Sequence, residues 1–375
     1  MPQASILIKP ASSNCNMDCK YCFYKCLSSN REKYSLGFMS GTTLELLVKN
    51  AIDYADGLLI FAFQGGEPML AGIDFFKKAV ELQKLYGKEK ADLKIENTIQ
   101  TNGTLLNDEW CEFLHKENFL VGVSLDGTKK NHDLARRMVD GTESFERVMQ
   151  GIALLKKHQV DFNILTVVTE QLSEKASALY KFYKRNGFEY VQLIPCMDES
   201  EGQKPYGIKP EAYGRFLCEF FDLWYEDFKR GDIMDVRMFS NLAQMTAGYE
   251  PEECGMCGKC NSYLVVEGDG SVYPCDFYCT DAYRLGNISQ SILSLKQSQR
   301  AVEFEKKSIS KPAKCLDCAY YSLCRGGCRK LREQNVSEEG INYLCAGYKL
   351  FFEHASERLE KLGKTIINPL NRRFL

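Results

Sequence analysis

Three cysteines near the amino terminus have the spacing of an iron–sulfur ligand set. Cys15, Cys19 and Cys22 lie in one short stretch directly after an apolar run. Three thiolates in one loop can bind three irons of a 4Fe–4S cluster and leave the fourth iron open to a small ligand. A structural zinc site would need four closed ligands. Cys26 could in principle supply a fourth thiolate, but we interpret it as a packed cysteine near the start of the first helix.

Ten of the 17 cysteines form a second group between Cys254 and Cys345. This clustering indicates metal binding rather than scattered burial, and two 4Fe–4S clusters held entirely by protein would use eight of the ten. Full cysteine ligation leaves no open iron, so it favours electron transfer or a structural role over direct substrate binding. A zinc ribbon is the structural alternative for this group.

Composition excludes several classes of protein. The 48 Lys and Arg residues nearly balance the 50 Asp and Glu residues, so strong bulk attraction to nucleic acid or to an anionic membrane is not expected. No apolar run approaches the roughly 18 residues of a membrane-spanning helix, and the first residues lack the pattern of a secretory signal. The four histidines show no metal-ligand spacing. We predict a cytoplasmic protein whose cysteines stay reduced.

Short apolar runs alternate with helical patterns over the first 200 residues. The predicted strands cover 4–9, 58–63, 93–101, 119–125, 160–169 and 190–196, and the predicted helices follow the cap residue Ser40 and cover 74–86, 108–117, 144–158 and 173–186. Strands that alternate with helices pair in parallel through right-handed crossovers. A doubly wound sheet and a partial (β/α) barrel both fit this pattern.

In either fold, ligands bind at the carboxyl ends of the strands. The unusual residues of this region fall at those ends: the cysteine loop, Gln64 to Glu67, Thr101 to Gly103, Ser124 and Asp126. Their coincidence favours one shared site at that edge.

A polar stretch near 198–210 separates this region from the rest of the chain. We predict domains at 1–200, 201–250 and 251–363, followed by a flexible tail over 364–375. The later elements are a long aromatic helix over about 210–230, expected to pack on the alternating region, a hairpin near 263–274 and a helix over about 341–362.

Two motifs resemble those of the radical S-adenosylmethionine (SAM) enzymes. One is Cys-x3-Cys-x-aromatic-Cys, with Tyr21 as the aromatic residue, and the other is Gly65-Gly66-Glu67-Pro68 after the second strand. In that family the glycine-rich strand end binds the methionine amino group of SAM. Glycines let backbone approach a ligand closely, and carbonyl and carboxylate oxygens suit an ammonium group.

Within that superfamily, the chain from about 5 to 360 is most similar to the anaerobic sulfatase-maturating enzymes. The similar stretches include IKPASSNCNMDCKYCFY, FAFQGGEP, GDGSVYPCDFY and CRGGCR. The resemblance implies an α/β fold in which a partial (β/α)6 barrel of the radical SAM type precedes a loop-rich SPASM domain, with two auxiliary clusters and a C-terminal helix.

The resemblance also assigns SAM and three 4Fe–4S clusters to particular residues. SAM contacts fall on Tyr21, Gly66, Ser124, Arg136 and Met197, and the SAM-binding cluster falls on Cys15, Cys19 and Cys22. One auxiliary cluster falls to Cys254, Cys260, Cys275 and Cys328, and the other to Cys315, Cys318, Cys324 and Cys345. Cys257 and Cys279 are not required, although Cys257 stands between two assigned ligands and could replace either of them.

The activity implied by the resemblance is the oxidation of a cysteine or serine of a sulfatase to Cα-formylglycine under anaerobic conditions. Asp276 matches the general base of the family, and Tyr24 and Gln64 are expected to orient the substrate. On the sequence pattern alone, Asp276 could equally make turn hydrogen bonds. The implied partners are an unfolded or nascent sulfatase with a Cys/Ser-x-Pro-x-Arg motif and a reducing donor such as flavodoxin or ferredoxin.

Two alternatives stay open at this point. A SPASM-type modifier of a ribosomal peptide, which forms a thioether, would share the clusters and the SAM pocket but would need no base for dehydrogenation. A non-catalytic iron–sulfur or zinc protein would leave Tyr21 and the glycine-rich strand end without a role.

Overall fold

The computed structural model describes residues 4–197, 206–335 and 338–367. Most of the polar boundary predicted near 198–210 lies outside these residues. The chain forms two compact units. The first unit comprises the described residues of Met1–Leu125, His132–Phe162 and Asn261–Lys307, and the second unit comprises those of Asp126–Asn131, Asn163–Cys260 and Ser308–Leu375.

The described residues contain ten strands. They are β1 (Ala4–Ile8), β2 (Leu58–Phe63), β3 (Lys94–Thr101), β4 (Leu120–Ser124), β5 (Phe162–Val168), β6 (Tyr190–Pro195), β7 (Asp235–Val236), β8 (Leu264–Val266), β9 (Ser271–Tyr273) and β10 (Gly286–Asn287). All six strands predicted for the first 200 residues are present, with bounds that differ by at most two residues.

The helices agree with the predicted pattern and add several short ones. The α-helices are Phe23–Ser29, Gly41–Tyr54, Ile73–Gly87, Asp108–Lys116, Lys129–Ala135, Phe145–Lys157, Glu170–Ser173, Ala176–Asn186, Pro210–Lys229, Arg237–Thr246, Ile292–Lys296, Gln299–Ile309, Ala313–Leu316, Tyr321–Cys324, Arg329–Glu333 and Cys345–Ile367. As expected, the Ser40 side chain caps its helix by accepting a hydrogen bond from the Thr43 N–H. None of the described helices is both long and apolar enough to span a membrane.

The strands of the first unit run in the order β10-β9-β8-β1-β2-β3-β4. Strands β1 to β4 are parallel, as the alternation of strands and helices predicted. Their apolar side chains alternate between the two faces, and in β2 the residues Leu59, Phe61 and Phe63 are buried. The four carboxyl ends therefore lie along one edge, where the cysteine loop and Gln64 follow β1 and β2.

The hairpin β8–β9 forms where the sequence predicted it, but its partner was not predicted. Strand β8 pairs in parallel with β1, so that Ile6, Leu7 and Ile8 lie beside Leu264, Val265 and Val266. This pairing extends the sheet of the first unit on the side of β1. It brings Glu267, which follows β8, to the same edge as the end of β1, and β9 returns antiparallel to β8 toward Cys275 and Asp276.

The second unit contains β5, β6 and β7, which are parallel to one another, and most of the aromatic core. Rings of the helix Pro210–Lys229 contact Tyr180 from the helix Ala176–Asn186 and also contact Phe239 and Phe351 from two helices later in the chain. This helix is therefore buried among other helices as well as against the alternating region. The final helix continues to Ile367, so residues 364–367, predicted to begin a tail, are helical.

Candidate active site

The loop with the first cysteines follows β1 in the first unit. Its three thiols are partly buried and form no disulfide: Cys15, Cys19 and Cys22. The loop is anchored through its backbone, because the N–H groups of Asp18 and Lys20 donate to carbonyl oxygens of the segment 135–137 at 2.7 and 2.9 Å. The backbone of the cysteine loop is therefore fixed by hydrogen bonds to this segment.

The glycine-rich end of β2 packs directly against this loop. Gly66 has a φ of +55°, and a Cβ at this position would lie 2.2 Å from the carbonyl oxygen of Asn14. The Glu67 N–H donates to the same oxygen at 2.8 Å. Only glycine satisfies both the backbone angle and the close approach. The structure thus explains the glycine by its contact with the cysteine loop, and the SAM contact assigned to Gly66 remains a prediction.

The Glu67 carboxylate is fully buried and joins the ends of β2 and β3. Oε1 accepts hydrogen bonds from the Met69 N–H and the Thr101 hydroxyl, and Oε2 accepts one from the Asn102 N–H at 2.8 Å. Burial raises the pKa of Glu67 to about 7, and these hydrogen bonds oppose the shift. Glu67 therefore links the two strand ends, and the contact of this strand end with the SAM ammonium remains a prediction.

Asn102, in the short segment after β3, supports the cysteine loop from a second side. Its side-chain N–H donates to Asn16 Oδ1 at 2.8 Å and lies 4.0 Å from Cys15 Sγ. Asn16 in turn donates to the Thr104 hydroxyl at 2.9 Å. The sequence singled out residues 101–103 only as a strand end, and the structure shows that they hold the loop.

The predicted SAM contacts of the first unit lie near this loop. Arg136, which is 7% exposed, places its guanidinium 5.3 Å from the centre of the Tyr21 ring, a cation–π contact. Ser124, at the end of β4, accepts a hydrogen bond from Gln100 Nε2 at 3.1 Å. Met197 belongs to the second unit and is partly buried. Their roles toward SAM remain predictions.

Asp276, Tyr24 and Gln64 contact one another in the first unit, and their roles toward the substrate remain predictions. The Tyr24 hydroxyl donates to Asp276 Oδ2 at 2.5 Å. Gln64 Nε2 donates to the Tyr24 oxygen at 2.9 Å and lies 3.4 Å from the same Oδ2. Asp276 is 4% exposed and immediately follows Cys275, which is 9% exposed. Burial raises the pKa of Tyr24 well above its usual range, with the Asp276 charge adding to the effect, so Tyr24 is the donor in this contact.

A second set of charged side chains lies behind Asp276. Lys9 Nζ lies 3.0 Å from Asp276 Oδ1 and 3.4 Å from Glu267 Oε1. Arg31 donates to the same oxygen of Glu267 at 2.7 Å. All four side chains are buried. Two cations thus face two carboxylates, which offsets the cost of burying each charge.

The second unit holds the cysteines assigned to one auxiliary cluster. Cys315, Cys318 and Cys324 lie on or between two short helices, and Cys345 begins the final helix. Burial raises the pKa of Cys324 to about 12, and the charges of the other three thiols add to the shift. All four thiols are therefore within electrostatic reach of one another.

Three cysteines assigned to the other auxiliary cluster also lie in the second unit. Burial raises the pKa of Cys254 to about 12, with contributions from Cys328, Cys260 and Cys257. Cys257 Sγ lies 3.5 Å from the Pro251 carbonyl oxygen. Cys275 belongs to the first unit, and its place in this cluster stays a prediction.

The remaining cysteine of this region, Cys279, packs in an apolar cluster of the first unit. Its neighbours there are Leu7, Val265, Tyr273 and Tyr263. Burial raises the pKa of the Cys279 thiol to about 12, and the side chain is 0% exposed. This environment suits a neutral, buried thiol.

The cysteine sets fit 4Fe–4S clusters in number and in type of ligand. In the described part of the chain, no three His, Cys, Asp or Glu side chains stand close enough to share one metal ion. A 4Fe–4S cluster has a different requirement, because each thiolate binds a separate iron. Burial raises the pKa of Cys15 to about 11, with Glu67 and Cys22 adding to the shift. Iron would stabilise such a thiolate.

Sequence reasoning missed Lys9, Arg31 and Glu267 as members of the site. One signal was available for Lys9, since it follows an apolar strand at the carboxyl end, where ligands bind in this type of fold. Arg31 and Glu267 carried no such signal, because neither lies in a motif. The pairing of β8 with β1 brings Glu267 beside Lys9, and Arg31 reaches Glu267 from the segment after the helix Phe23–Ser29.

The comparisons with known proteins agree with these features. Residues 10–182 match the family model of the radical SAM superfamily, and residues 254–319 match that of SPASM, an iron–sulfur cluster-binding domain. A cysteine-type anaerobic sulfatase-maturating enzyme from Clostridium perfringens is 44% identical over 98% of this chain and 100% of its own length. A serine-type enzyme from Bacteroides thetaiotaomicron is 35% identical over 97% of this chain and 92% of its own length.

A solved structure described as native anSMEcpe with bound AdoMet and Cp18Cys peptide superposes with a TM-score of 0.91. It is 42% identical and covers 97% of this chain and 100% of its own. The expected fold, a radical SAM domain followed by a SPASM domain, is confirmed by these matches. Identity of this extent, along the whole chain, shows the family. The chain belongs to the anaerobic sulfatase-maturating enzymes of the radical SAM superfamily.

Proposed function

We propose that this enzyme oxidises a cysteine or serine of a sulfatase polypeptide to Cα-formylglycine, with Asp276 as the general base. The observation that carries the base assignment is the buried Asp276 carboxylate, whose Oδ2 faces Tyr24 and Gln64 and which directly follows the proposed cluster ligand Cys275. A turn residue would need no such partners in a buried site.

The cofactors supply the radical chemistry, and the protein supplies position and a proton acceptor. When bound, SAM and its cluster supply a radical that removes one hydrogen atom from Cβ of the target residue, and the auxiliary clusters supply an acceptor for the second electron. Asp276 accepts the proton of the target thiol or hydroxyl. A thiol thereby becomes a thioaldehyde, and a hydroxyl becomes an aldehyde. Water hydrolyses the thioaldehyde to formylglycine. Tyr24 and Gln64 hold the carboxylate toward the reacting group.

We propose the cofactor contacts residue by residue. SAM would be held by Tyr21, Gly66, Ser124, Arg136 and Met197. Cys15, Cys19 and Cys22 would bind the SAM-binding cluster, Cys254, Cys260, Cys275 and Cys328 one auxiliary cluster, and Cys315, Cys318, Cys324 and Cys345 the other. What supports this proposal is the number and type of the ligands and, for the first loop, its support by Gly66 and Asn102.

A peptide is the proposed substrate, since the relative of known structure carries a bound peptide. We propose an unfolded or nascent sulfatase with a Cys/Ser-x-Pro-x-Arg motif, because a buried base can reach a side chain only on a segment that enters the site in extended form. The proposed electron donor is a flavodoxin or a ferredoxin. None of the 17 cysteines, all of which lie within the described residues, forms a disulfide, which suits a reducing compartment such as the cytoplasm.

The test is anaerobic incubation of the reconstituted enzyme with SAM, a reductant and a short peptide that carries Cys-x-Pro-x-Arg. Mass spectrometry should show that the target loses two hydrogens and exchanges sulfur for oxygen, with one 5′-deoxyadenosine per product. A matched peptide with Ser in place of Cys reports the preference between the two substrates. A product that loses two hydrogens and keeps its sulfur would support thioether formation instead, and the absence of 5′-deoxyadenosine would support a non-catalytic protein.

A further inference from the structure

Lys9 is the one buried ammonium group in contact with Asp276 among the described residues. It follows β1 directly, its side chain is 2% exposed, and its Nζ lies 3.0 Å from Asp276 Oδ1. The same nitrogen lies 4.4 Å from the centre of the Tyr24 ring. Lys9 therefore touches two of the three side chains that we assign to the oxidation.

The lysine is held in this position along its whole length. Its backbone N–H donates to the Val266 carbonyl oxygen at 2.9 Å. Its aliphatic stem lies against Gly65, where a Cβ would be 2.6 Å from Lys9 Cγ. Gly65, with a φ of +108°, thus leaves the space that the stem occupies. A residue with a side chain at 65 would displace the ammonium group.

The ammonium group of Lys9 also has buried partners of opposite charge. Glu267, which is 0% exposed, lies 3.4 Å from Lys9 Nζ and is itself bound by Arg31. Burial lowers the pKa of Lys9, but the nearby Asp276, Cys279 and Glu267 outweigh it and raise the pKa above its usual range. Lys9 is therefore a permanent cation in the folded protein.

The two oxygens of Asp276 face different partners. Oδ1 faces Lys9 at 3.0 Å without the angle of a hydrogen bond, so the contact is an ion pair. Oδ2 accepts from Tyr24 and lies near Gln64. A carboxylate that is held through one oxygen cannot rotate freely, so its second oxygen keeps one direction.

We propose that Lys9 is the positioning residue of the oxidation: through its ion pair with Oδ1 it keeps Oδ2 of Asp276 directed toward Tyr24, Gln64 and the target side chain. Glu267 and Arg31 serve this role by holding the ammonium group. The inference rests on the proposed function, in particular on Asp276 as the base, and it adds a residue that contacts Asp276 and the Tyr24 ring and to which we assign no contact with the target side chain.

The test is Lys9→Met, which keeps an unbranched stem of similar length and removes the charge. We expect normal iron content, normal SAM binding and continued release of 5′-deoxyadenosine. The yield of formylglycine per 5′-deoxyadenosine should fall by about 10-fold to 10²-fold, as expected for a displaced catalytic group. Lys9→Arg, which keeps a cation, should recover part of this ratio. Lys90→Met is the matched control, because Lys90 binds backbone carbonyls at residues 52–55.

The ratio of formylglycine to 5′-deoxyadenosine distinguishes a positioning role from a structural role. A destabilised fold would lower iron content, 5′-deoxyadenosine and formylglycine together. The double variant Lys9→Met with Asp276→Asn should have the same ratio as Asp276→Asn alone if Lys9 acts through Asp276. A wild-type ratio in an intact Lys9→Met enzyme overturns the inference. Loss of iron in both Lys9→Met and Lys9→Gln also overturns it, in favour of a structural role.

Failure of the inference can be told apart from failure of the proposed function. If Asp276→Asn lowers the ratio and Lys9→Met does not, only the role of Lys9 is wrong. If Asp276→Asn keeps the wild-type ratio, the base assignment itself is wrong.

Discussion

The cysteine loop of the first unit and the cysteine set around Cys324 in the second unit are surrounded differently. The first presents three thiols from one continuous loop, supported by the backbone at Gly66 and by Asn102. The second takes its four thiols from two short helices, the residues between them and the start of the final helix. Three ligands leave an iron open to a small molecule, whereas four close the cluster. The loop therefore suits binding of SAM, and the second set suits electron transfer.

The two regions also differ in the polar groups beside them. At the strand ends of the first unit, Asp276, Tyr24 and Gln64 form a hydrogen-bonded group backed by Lys9. Near the second set, Lys311 donates to backbone carbonyls at Gly258 and Ile309. Burial lowers the pKa of Lys311 to about 8. Both the three-cysteine loop and the proposed base Asp276 lie in the first unit.

Removing the three loop cysteines is expected to have the largest effect on this comparison. The variant with Cys15, Cys19 and Cys22 all changed to Ala should lose about four of about twelve irons per chain and all cleavage of SAM. The auxiliary clusters should remain, since their ligands lie elsewhere. Iron analysis and 5′-deoxyadenosine release measure both outcomes. Unchanged iron content would show that the loop does not bind a cluster.

Removing the proposed proton acceptor is expected to have the second-largest effect. Asp276→Asn keeps the size and a hydrogen-bonding group but cannot accept a proton near neutral pH. Hydrogen abstraction precedes the proton transfer, so 5′-deoxyadenosine release should continue while formylglycine falls by about 10² to 10⁴-fold. Asp281→Asn, at an exposed position later in the same segment, is the matched control. A fully clustered Asp276→Asn enzyme with a near-normal yield would contradict the base assignment.

Removing one cysteine from the second set tests whether the two regions have different functions. Cys324→Ala should remove about four irons or destabilise that cluster, and it should lower formylglycine more than 5′-deoxyadenosine, because the proposed ligands of the SAM-binding cluster lie in the first unit. The two products are quantified from the same reaction. If SAM cleavage disappears while the iron of the first loop remains, the second set does more than carry electrons.

The smallest effects are expected at the two cysteines that the clusters do not require. Cys279→Ala removes a thiol from an apolar cluster, and Cys257→Ala removes a thiol that lies near backbone carbonyls. Iron content and formylglycine yield should both stay near those of the wild type. Loss of a cluster in Cys257→Ala would transfer the ligand role from Cys254 or Cys260 to Cys257.

Much of the first unit could be predicted from the sequence because its signals are local. A short apolar run predicted β2 with its observed bounds, Leu58–Phe63, and the cap residue Ser40 predicted the start of the helix Gly41–Tyr54. The cysteine spacing and the glycine-rich strand end pointed to the SAM site. Asp276 was identified only by resemblance, since in the pattern alone it fits a turn equally well.

The roles of individual side chains depended on contacts between distant parts of the chain. The carboxylate of Glu67 accepts hydrogen bonds from three donors at the ends of β2 and β3, which its place in a glycine-rich motif does not predict. Lys9, Arg31 and Glu267 come from three separate segments and form one charged group. No local pattern predicts such a group, because its members have no fixed spacing.

The sequence by itself determined the kind of chemistry, since cysteine spacing, a glycine-rich strand end and alternating strands and helices are properties of neighbouring residues. The tertiary structure decided which side chains act together. The pairing of β8 with β1 carries Asp276 to Lys9 and Tyr24, and strand pairing depends on hydrogen bonds between segments far apart in the chain. A carboxylate therefore becomes a candidate base only when the fold has placed its partners around it.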